Sequence, residues 1–326
     1  LSGASVAGKR VRMTFTLPTP AQTFKIGTRG SPLALAQAHE TRTRIMAHFD
    51  LPAEAFEIVV ISTQGDRVLD RALKEIGGKG LFTREIEDQL LDGSIDIAVH
   101  SMKDMPVDQP EGLMLDCYLP RENPCDAFIH LDGGTLADLP SGSVVGTSSL
   151  RRKSQLLYKR PDLTVVEFRG NVQTRLKKLN DGVAAATFLA MAGLNRLNAT
   201  DVPRTEISVD DMLPAVAQGA IGIERRCDDH RSGALLEALH HRETGQRLAA
   251  ERAFLAALDG SCETPIAGLA TLDGGTLRLR GEILRTDGSE ALFDEISGAV
   301  EDGAQLGRDL AARLLARAGD GFFDWK

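Results

Sequence analysis

The 326-residue chain has no apolar run approaching the roughly 20 residues that a membrane-spanning helix needs. Its first residues, Leu1–Thr23, carry Lys9, Arg10 and Arg12 but no apolar stretch of the secretory kind. They read as a loose extension, with Met13 a natural start; a trimmed organellar targeting peptide is the alternative. Cysteine is scarce, at four residues (Cys117, Cys125, Cys227, Cys262), with no Cys-x-x-Cys pair and no zinc spacing. A reduced, cytoplasmic compartment fits that usage. Positive charge is not in excess: the net charge is −8, which disfavours non-specific nucleic-acid binding. Solenoid-length repeats and low-complexity tracts are absent, and no glycine-rich turn ends in the Gly-Lys-Ser/Thr of a nucleotide P-loop.

What is present is an alternation of strand-like and helix-like stretches over residues 24–224, the pattern of α/β architecture. Strands are predicted at Phe24–Thr28, Glu57–Ser62, Ile95–His100, Leu113–Leu119, Asp126–Leu131, Ser143–Thr147, Thr164–Phe168 and Ala186–Met191. Helices are predicted at Pro32–His48, Thr83–Leu91, Leu150–Lys159, Val172–Leu179 and Arg247–Leu258. Breaks at Pro120–Pro124 and Leu213–Gly219 read as two crossovers between similar α/β lobes, which makes a hinged clamshell with a cleft. Beyond about Ala238, a helix, two alternating runs (Thr276–Leu284 and Ala291–Val300) and a helix at Gly303–Arg317 form a small α+β domain. The expected division is an extension at 1–22, expected to be disordered, a first lobe of 23–119 with 216–238, a second lobe of 120–215, and a third domain of 239–326.

The segment Ile95–Pro106 is the most informative. A buried-strand pattern ends in Lys103-Asp104, and Pro106 holds the preceding residue in extended geometry, so no helix starts at once. Ligands of open α/β sheets gather at such strand ends. Three further strand ends present arginine. In Gly27–Gln37, Arg29 lies between the strand and a helix capped by Ser31. In Gly146–Arg152, Thr147 and Ser149 precede a helix whose first turn holds Arg151 and Arg152. Cations there oppose the helix dipole at a cost of about 0.3–1 kcal/mol each, so an anion is expected. After Phe168 come Arg169, the cap Asn171 and Arg175, and Arg196 adds a further charge. Arginine suits bidentate recognition of carboxylate or phosphate. The set implies a polyanion cleft. Cys262 lies in the turn-rich Leu258–Pro265, with no histidine nearby; spacing alone leaves it either a bystander thiol or a reactive group that reaches a cleft.

Together these stretches resemble the porphobilinogen deaminase (hydroxymethylbilane synthase) family. The resemblance runs in the family's order through Gly27–Gln37, Gly78–Phe82, Ile95–Pro106, Gly146–Arg152, Arg169–Arg175, Pro214–Glu224 and the Cys262 loop. It implies two periplasmic-binding-protein-like lobes with a third domain, and a monomer. It implies a transferase that condenses four porphobilinogen units head to tail, each losing ammonia, on a dipyrromethane cofactor joined to Cys262 by a thioether. No metal, nucleic acid or membrane is implied. The pyrrole acetate and propionate arms make the growing chain a polycarboxylate. Lys103, Arg151, Arg152, Ser149, Thr147 and Ser31 are expected at the cofactor. Arg29, Arg169, Arg175, Arg196, Phe82, Gln218 and Lys79 are expected at the substrate. Asp104 is the expected catalytic carboxylate, set against the cationic ring that forms as ammonia leaves. Two positions depart from the family pattern: Ser261, where a glycine commonly precedes the cysteine, and Ala185, where an aspartate is frequent. The reading from a different class is a non-catalytic anion-binding clamshell, which would need neither Cys262 nor a third domain.

Overall fold

The structure is a computed structural model that describes residues 15–67, 82–261, 264–319 and 321–323. The first sheet begins with strands β1 (Phe24–Arg29), β2 (Phe56–Ile61), β3 (Ile97–Ser101) and β4 (Leu113–Tyr118). The chain then crosses to a second sheet of β5 (Asp126–His130), β6 (Val144–Gly146), β7 (Thr164–Val166), β8 (Ala186–Ala190) and β9 (Thr205–Glu206). It returns as β10 (Ile221–Arg226), inserted between β3 and β4. The strand orders are β2-β1-β3-β10-β4 and β7-β6-β8-β5-β9. These are one topology used twice. In each sheet three strands are parallel, and the strand by which the chain enters after a crossover runs antiparallel beside them.

Parallel pairing requires crossover connections, and helices supply them. Helix α1 (Pro32–Phe49) joins β1 to β2; the short α2 (Gln64–Arg67) and α3 (Arg84–Leu91) lie between β2 and β3. Helices α4 (Leu150–Lys159) and α5 (Val172–Asn180) serve the second lobe, where α6 (Met191–Arg196) follows β8. Ser31, Ser149 and Asn171 cap α1, α4 and α5, accepting from Ala34 N, Arg152 N and Thr174 N. Strand β3 is buried at four consecutive residues, Ile97 to His100, as expected for a strand covered on both faces. Phe15 and Leu17 pack on the first-lobe core, where the Phe15 ring meets Phe49 edge-on at 6.1 Å.

Helix α7 (His230–Glu237) leads into the third domain. There α8 (Arg242–Ala257) and α9 (Gly303–Arg317) cover an antiparallel sheet of β11 (Ile266–Asp273), β12 (Thr276–Leu284) and β13 (Ala291–Ala299). Helix α8 begins five residues before the sequence expectation. Its cap is His241, whose Nδ1 accepts from Thr244 N at 3.2 Å, a capping residue that propensity does not favour. Strand β11 escapes the alternation pattern because Ala267, Gly268 and Ala270 dilute its apolar signal.

The two crossovers touch. Glu122 N donates to Gly219 O at 3.2 Å, and a Cβ on Gly219 would lie 2.4 Å from Glu122 O, so only glycine fits this approach at φ 88°. Helix α8 locks the junction through Glu251, which is fully buried. Its carboxylate accepts from Arg121 Nη1 (2.5 Å), Arg121 Nη2 (3.1 Å), Ala217 N (2.6 Å) and Ala270 N (2.8 Å). One carboxylate therefore ties the third domain to both crossovers. Removing one partner of a buried ion pair typically costs about 3–5 kcal/mol, since the other charge stays behind. Glu251→Ala is expected to lose that amount in denaturant unfolding; a loss under about 1 kcal/mol, the size of a surface pair, would show that the junction does not depend on it.

Candidate functional site

Strand β3 ends in a single 3₁₀ turn, Met102–Asp104, closed by Met105 N donating to Met102 O at 3.2 Å. Met102 and Met105 are buried in the same core as α8, α9 and Val216–Ala220, so the turn is pinned from below while Lys103 and Asp104 project from it. Met102 N donates to Ala220 O at 3.0 Å, and Arg252 of α8 donates to Pro106 O (2.8 Å) and Val107 O (3.0 Å). The returning crossover and the third domain thus hold one turn.

Asp104 lines a cavity of about 80 Å³ with Arg29, Ser31, Gln37, Phe82, His100 and Ser101. The Arg29 guanidinium carbon lies 4.2 Å from the centre of the Phe82 ring, a stacking that orients the cation. Gln37 on α1 exchanges hydrogen bonds with Ser101 at 2.8 and 3.1 Å, fixing the wall beside Asp104. Sequence reasoning missed Gln37, because a glutamine inside a helix carries no local signal.

In the second lobe, Arg151 and Arg152 are buried at the start of α4. The anion they meet within the chain is Asp126, the first residue of β5. Asp126 accepts from Arg151 Nη1 (2.7 Å), Arg152 Nη2 (2.7 Å) and Arg152 Nε (3.2 Å). Burial pushes the Asp126 carboxyl up, but the two guanidiniums overcome this and hold it well below the usual carboxylate range. Asp126 also accepts from Gln218 Nε2 at 2.9 Å, and Gln218 Oε1 accepts from Lys103 Nζ at 3.3 Å. A continuous polar chain therefore runs from the paired arginines through the crossover to Lys103. Thr147 accepts from Ser149 N at 3.2 Å, and Ser149 caps α4.

Lys103 is pushed down to about 8, first by burial and then by the charges of Arg152 and Arg151, with Asp104 opposing. Arg175 donates to Gly170 O at 2.9 Å and is lowered to about 10 by burial and by Arg152, again with Asp104 opposing. The field of Asp104 thus reaches a guanidinium of the opposite lobe. Arg169 lies in the half-buried turn after β7, where its carbonyl accepts from Lys178 Nζ at 3.0 Å. Arg196 lies elsewhere. It donates to Glu40 of α1 (3.2 Å) and to Gly219 O (3.1 Å), bridging the lobes beside a separate cavity lined by His39, Thr43 and Arg44.

Cys262 and Lys79 lie outside the described residues. The flanks of the cysteine are drawn together, with Ser261 N donating to Thr264 Oγ1 at 3.0 Å. Among the other cysteines, Cys117 and Cys125 are buried thiols that burial raises to about 12 and about 11. The ammonium, guanidinium and hydroxyl groups around Asp104 form a donor set suited to a ligand with several carboxylate arms.

The fold defines a two-lobed α/β protein with a third domain docked on the crossovers between its lobes. Residues 24–234 match the family model "Porphobilinogen deaminase, dipyromethane cofactor binding domain", and residues 246–316 match its C-terminal domain. The chain belongs to the porphobilinogen deaminase family. It is 65% identical to a porphobilinogen deaminase of Paracoccus denitrificans (strain Pd 1222), over 95% of this chain and 99% of that one. It is 56% identical to a chloroplastic porphobilinogen deaminase of Pisum sativum, over 92% of this chain and 83% of the relative. Among solved structures it is similar to the second substrate binding domain of a putative amino acid ABC transporter from Streptococcus pneumoniae, at TM-score 0.42 and 12% identity over 67% of this chain and 91% of that one.

The Lys103 ammonium titrates earlier in the folded chain than the 10.5 of an ordinary lysine. Below about pH 8 it is charged in both folded and unfolded chains; between about 8 and 10.5 only the unfolded chain keeps the proton. Its share of stability therefore rises with pH across that window. Acetylation of Lys103, followed by peptide mass spectrometry over a pH series, is expected to show a midpoint near 8 in primer-free protein. A midpoint at the ordinary lysine value would contradict the desolvated site.

Proposed function

We propose that the chain is a transferase that condenses four porphobilinogen molecules head to tail, with loss of one ammonia from each, to give hydroxymethylbilane on a dipyrromethane primer. The observation that carries this reading is a single carboxylate, Asp104, in a pocket with Arg29 and within the field of Arg175 of the facing lobe. Porphobilinogen brings two carboxylate arms and an aminomethyl group. Its ring becomes cationic as the amine departs. The dipyrromethane supplies, when bound, the pyrrole carbon to which the first substrate adds and the anchor that retains the chain.

Each role is assigned to a group able to perform it. Asp104, while ionised, steadies the positive ring of the substrate as ammonia leaves, and relays protons between steps. Arg29, Arg169 and Arg175 neutralise substrate arms, and Phe82, already stacked on Arg29, covers a ring face. Lys103 and Ser31 bind the primer carboxylates, with Thr147 and Ser149 aligning the start of α4. Arg151 and Arg152 act through their field, since their hydrogen bonds go to Asp126 and to backbone carbonyls. Gln218 aims Lys103, Arg196 governs the approach of the lobes through Glu40, and Lys79 contributes a charge that binds substrate. Cys262 carries the primer through a thioether.

The first lobe takes residues 23–119 and 216–238, the second 120–215 and the third domain 239–326, a division supported by which strands join which sheet. The chain is proposed to act as a monomer in the cytoplasm. No helix among the described residues is long and apolar enough to cross a membrane.

Intact-protein mass and an aldehyde reagent that colours dipyrroles test the reading together. Wild-type protein is expected to carry two pyrrole units, and Cys262→Ser none. Asp104→Ala should keep the colour while kcat falls about 10²–10⁴-fold, the range of general acid–base contributions. A colourless wild type would remove the primer from this chain, and a normal kcat in Asp104→Ala would remove Asp104 from the reaction.

A further inference from the structure

Beside the pocket lies a cluster of acid–base groups to which no role has yet been given. His100, on β3, lines the same cavity as Asp104 although it is only 6% exposed. Its Nε2 lies 3.0 Å from Oε2 of Glu224 on the adjacent strand β10. Glu224 is fully buried, and its other oxygen, Oε1, has no hydrogen-bond partner among the described residues. A buried carboxylate with one bare oxygen is a costly way to hold two strands together, and an apolar pair would do so at less expense. A second acid, Glu87 on α3, stands near. Burial, with the charge of Glu224 adding to it, holds its carboxyl above the usual range, while Thr83 and His100 oppose.

This arrangement fixes the imidazole tautomer. An ionised Glu224 accepts only, so in the unprotonated ring Nε2 carries the hydrogen and Nδ1 offers a lone pair. Asp104 by itself would face conflicting demands. A carboxylate steadies a positive ring only while ionised, and once it takes a proton that support is gone. Two groups with separate tasks resolve the conflict.

We propose that His100, oriented by Glu224 and backed by Glu87, is a second proton-handling group of the site and accepts the proton released at each condensation. This rests on the reading of Asp104 given above. Starting from the ammonium form of the substrate, the carbon–nitrogen bond breaks and its electron pair leaves on ammonia. A carbon–carbon bond then forms between the substrate methylene and the α-carbon of the acceptor pyrrole. That α-carbon sheds one proton to His100 Nδ1. The imidazolium, held by Glu224, passes the proton to ammonia, which leaves as ammonium, so atoms and charge balance with no further reactant. Among the described residues, the charged and titratable groups that face His100 are Glu224 on β10, Glu87 on α3 and, lining the same cavity, Asp104 and Arg29, with Arg252 of α8 acting on Glu224.

Two measurements test this. His100→Gln keeps a donor toward Glu224, since its amide nitrogen reaches the position of Nε2, and should load the primer with KM within about twofold of wild type, while kcat falls roughly 100-fold and its pH profile flattens on the acid side. Nitrogen-15 imidazole spectra of the unsubstituted, primer-loaded protein should show the unprotonated His100 ring with its hydrogen on Nε2, independently of activity. The opposite tautomer would overturn the proposal. So would a His100→Gln enzyme with wild-type kcat, or one whose kcat falls equally at every pH. The two readings separate cleanly. If Asp104→Ala turns over normally, the role of Asp104 falls; if that variant is inactive while His100→Gln is not, only the role of His100 falls.

Discussion

The buried carboxylate of Asp126 is the constraint on which the rest of the cleft depends. Two guanidiniums at a helix start, both shut away from water, would be untenable without an anion that pairs with them. Asp126 supplies it from the first residue of β5, the first strand of the second lobe. It also orients Gln218 on the returning crossover and, through Gln218, the ammonium of Lys103. Glu251 plays the matching part on the other side of the hinge, where it collects Arg121 and two backbone N–H groups. The junction of the three domains is therefore made of buried, paired charge rather than of slack linker.

That junction divides the labour of the site. Asp104, Lys103 and Arg29 belong to the first lobe, and their turn is rooted by Met102 and Met105 in the core shared with the third domain. Arg151, Arg152 and Arg175 belong to the second lobe. Rotation at the crossovers would alter the spacing between these two sets while leaving Asp104 fixed against its own wall. Glu40 and Arg196, one from each lobe, bridge the seam along which such a rotation would act.

Local signals carried a large part of this into the sequence. Hydrophobic runs separated by capped helices placed most strands and helices, since a run, a turn and a cap are each decided within a few residues. Ser31, Ser149 and Asn171 are read as caps and act as caps for that reason. Lys103 and Asp104 were legible because an apolar strand ending in two charges and a proline has few other uses. The meeting of Arg29 with Phe82 was not legible, because the two residues are far apart in the chain and no local pattern pairs them.

The sequence by itself determined the order of most elements, the α/β class of both lobes, two of the three strands of the third domain, and the residues that cap α1, α4 and α5. Only the tertiary structure decided that β10 returns between β3 and β4, that Arg151 and Arg152 share Asp126, and that His100 leans on Glu224 across 124 residues of chain. The difference is one of range. Periodicity and capping act between neighbours along the backbone, whereas the pairing of buried charges depends on which distant strands a crossover brings side by side, and no local pattern encodes that choice.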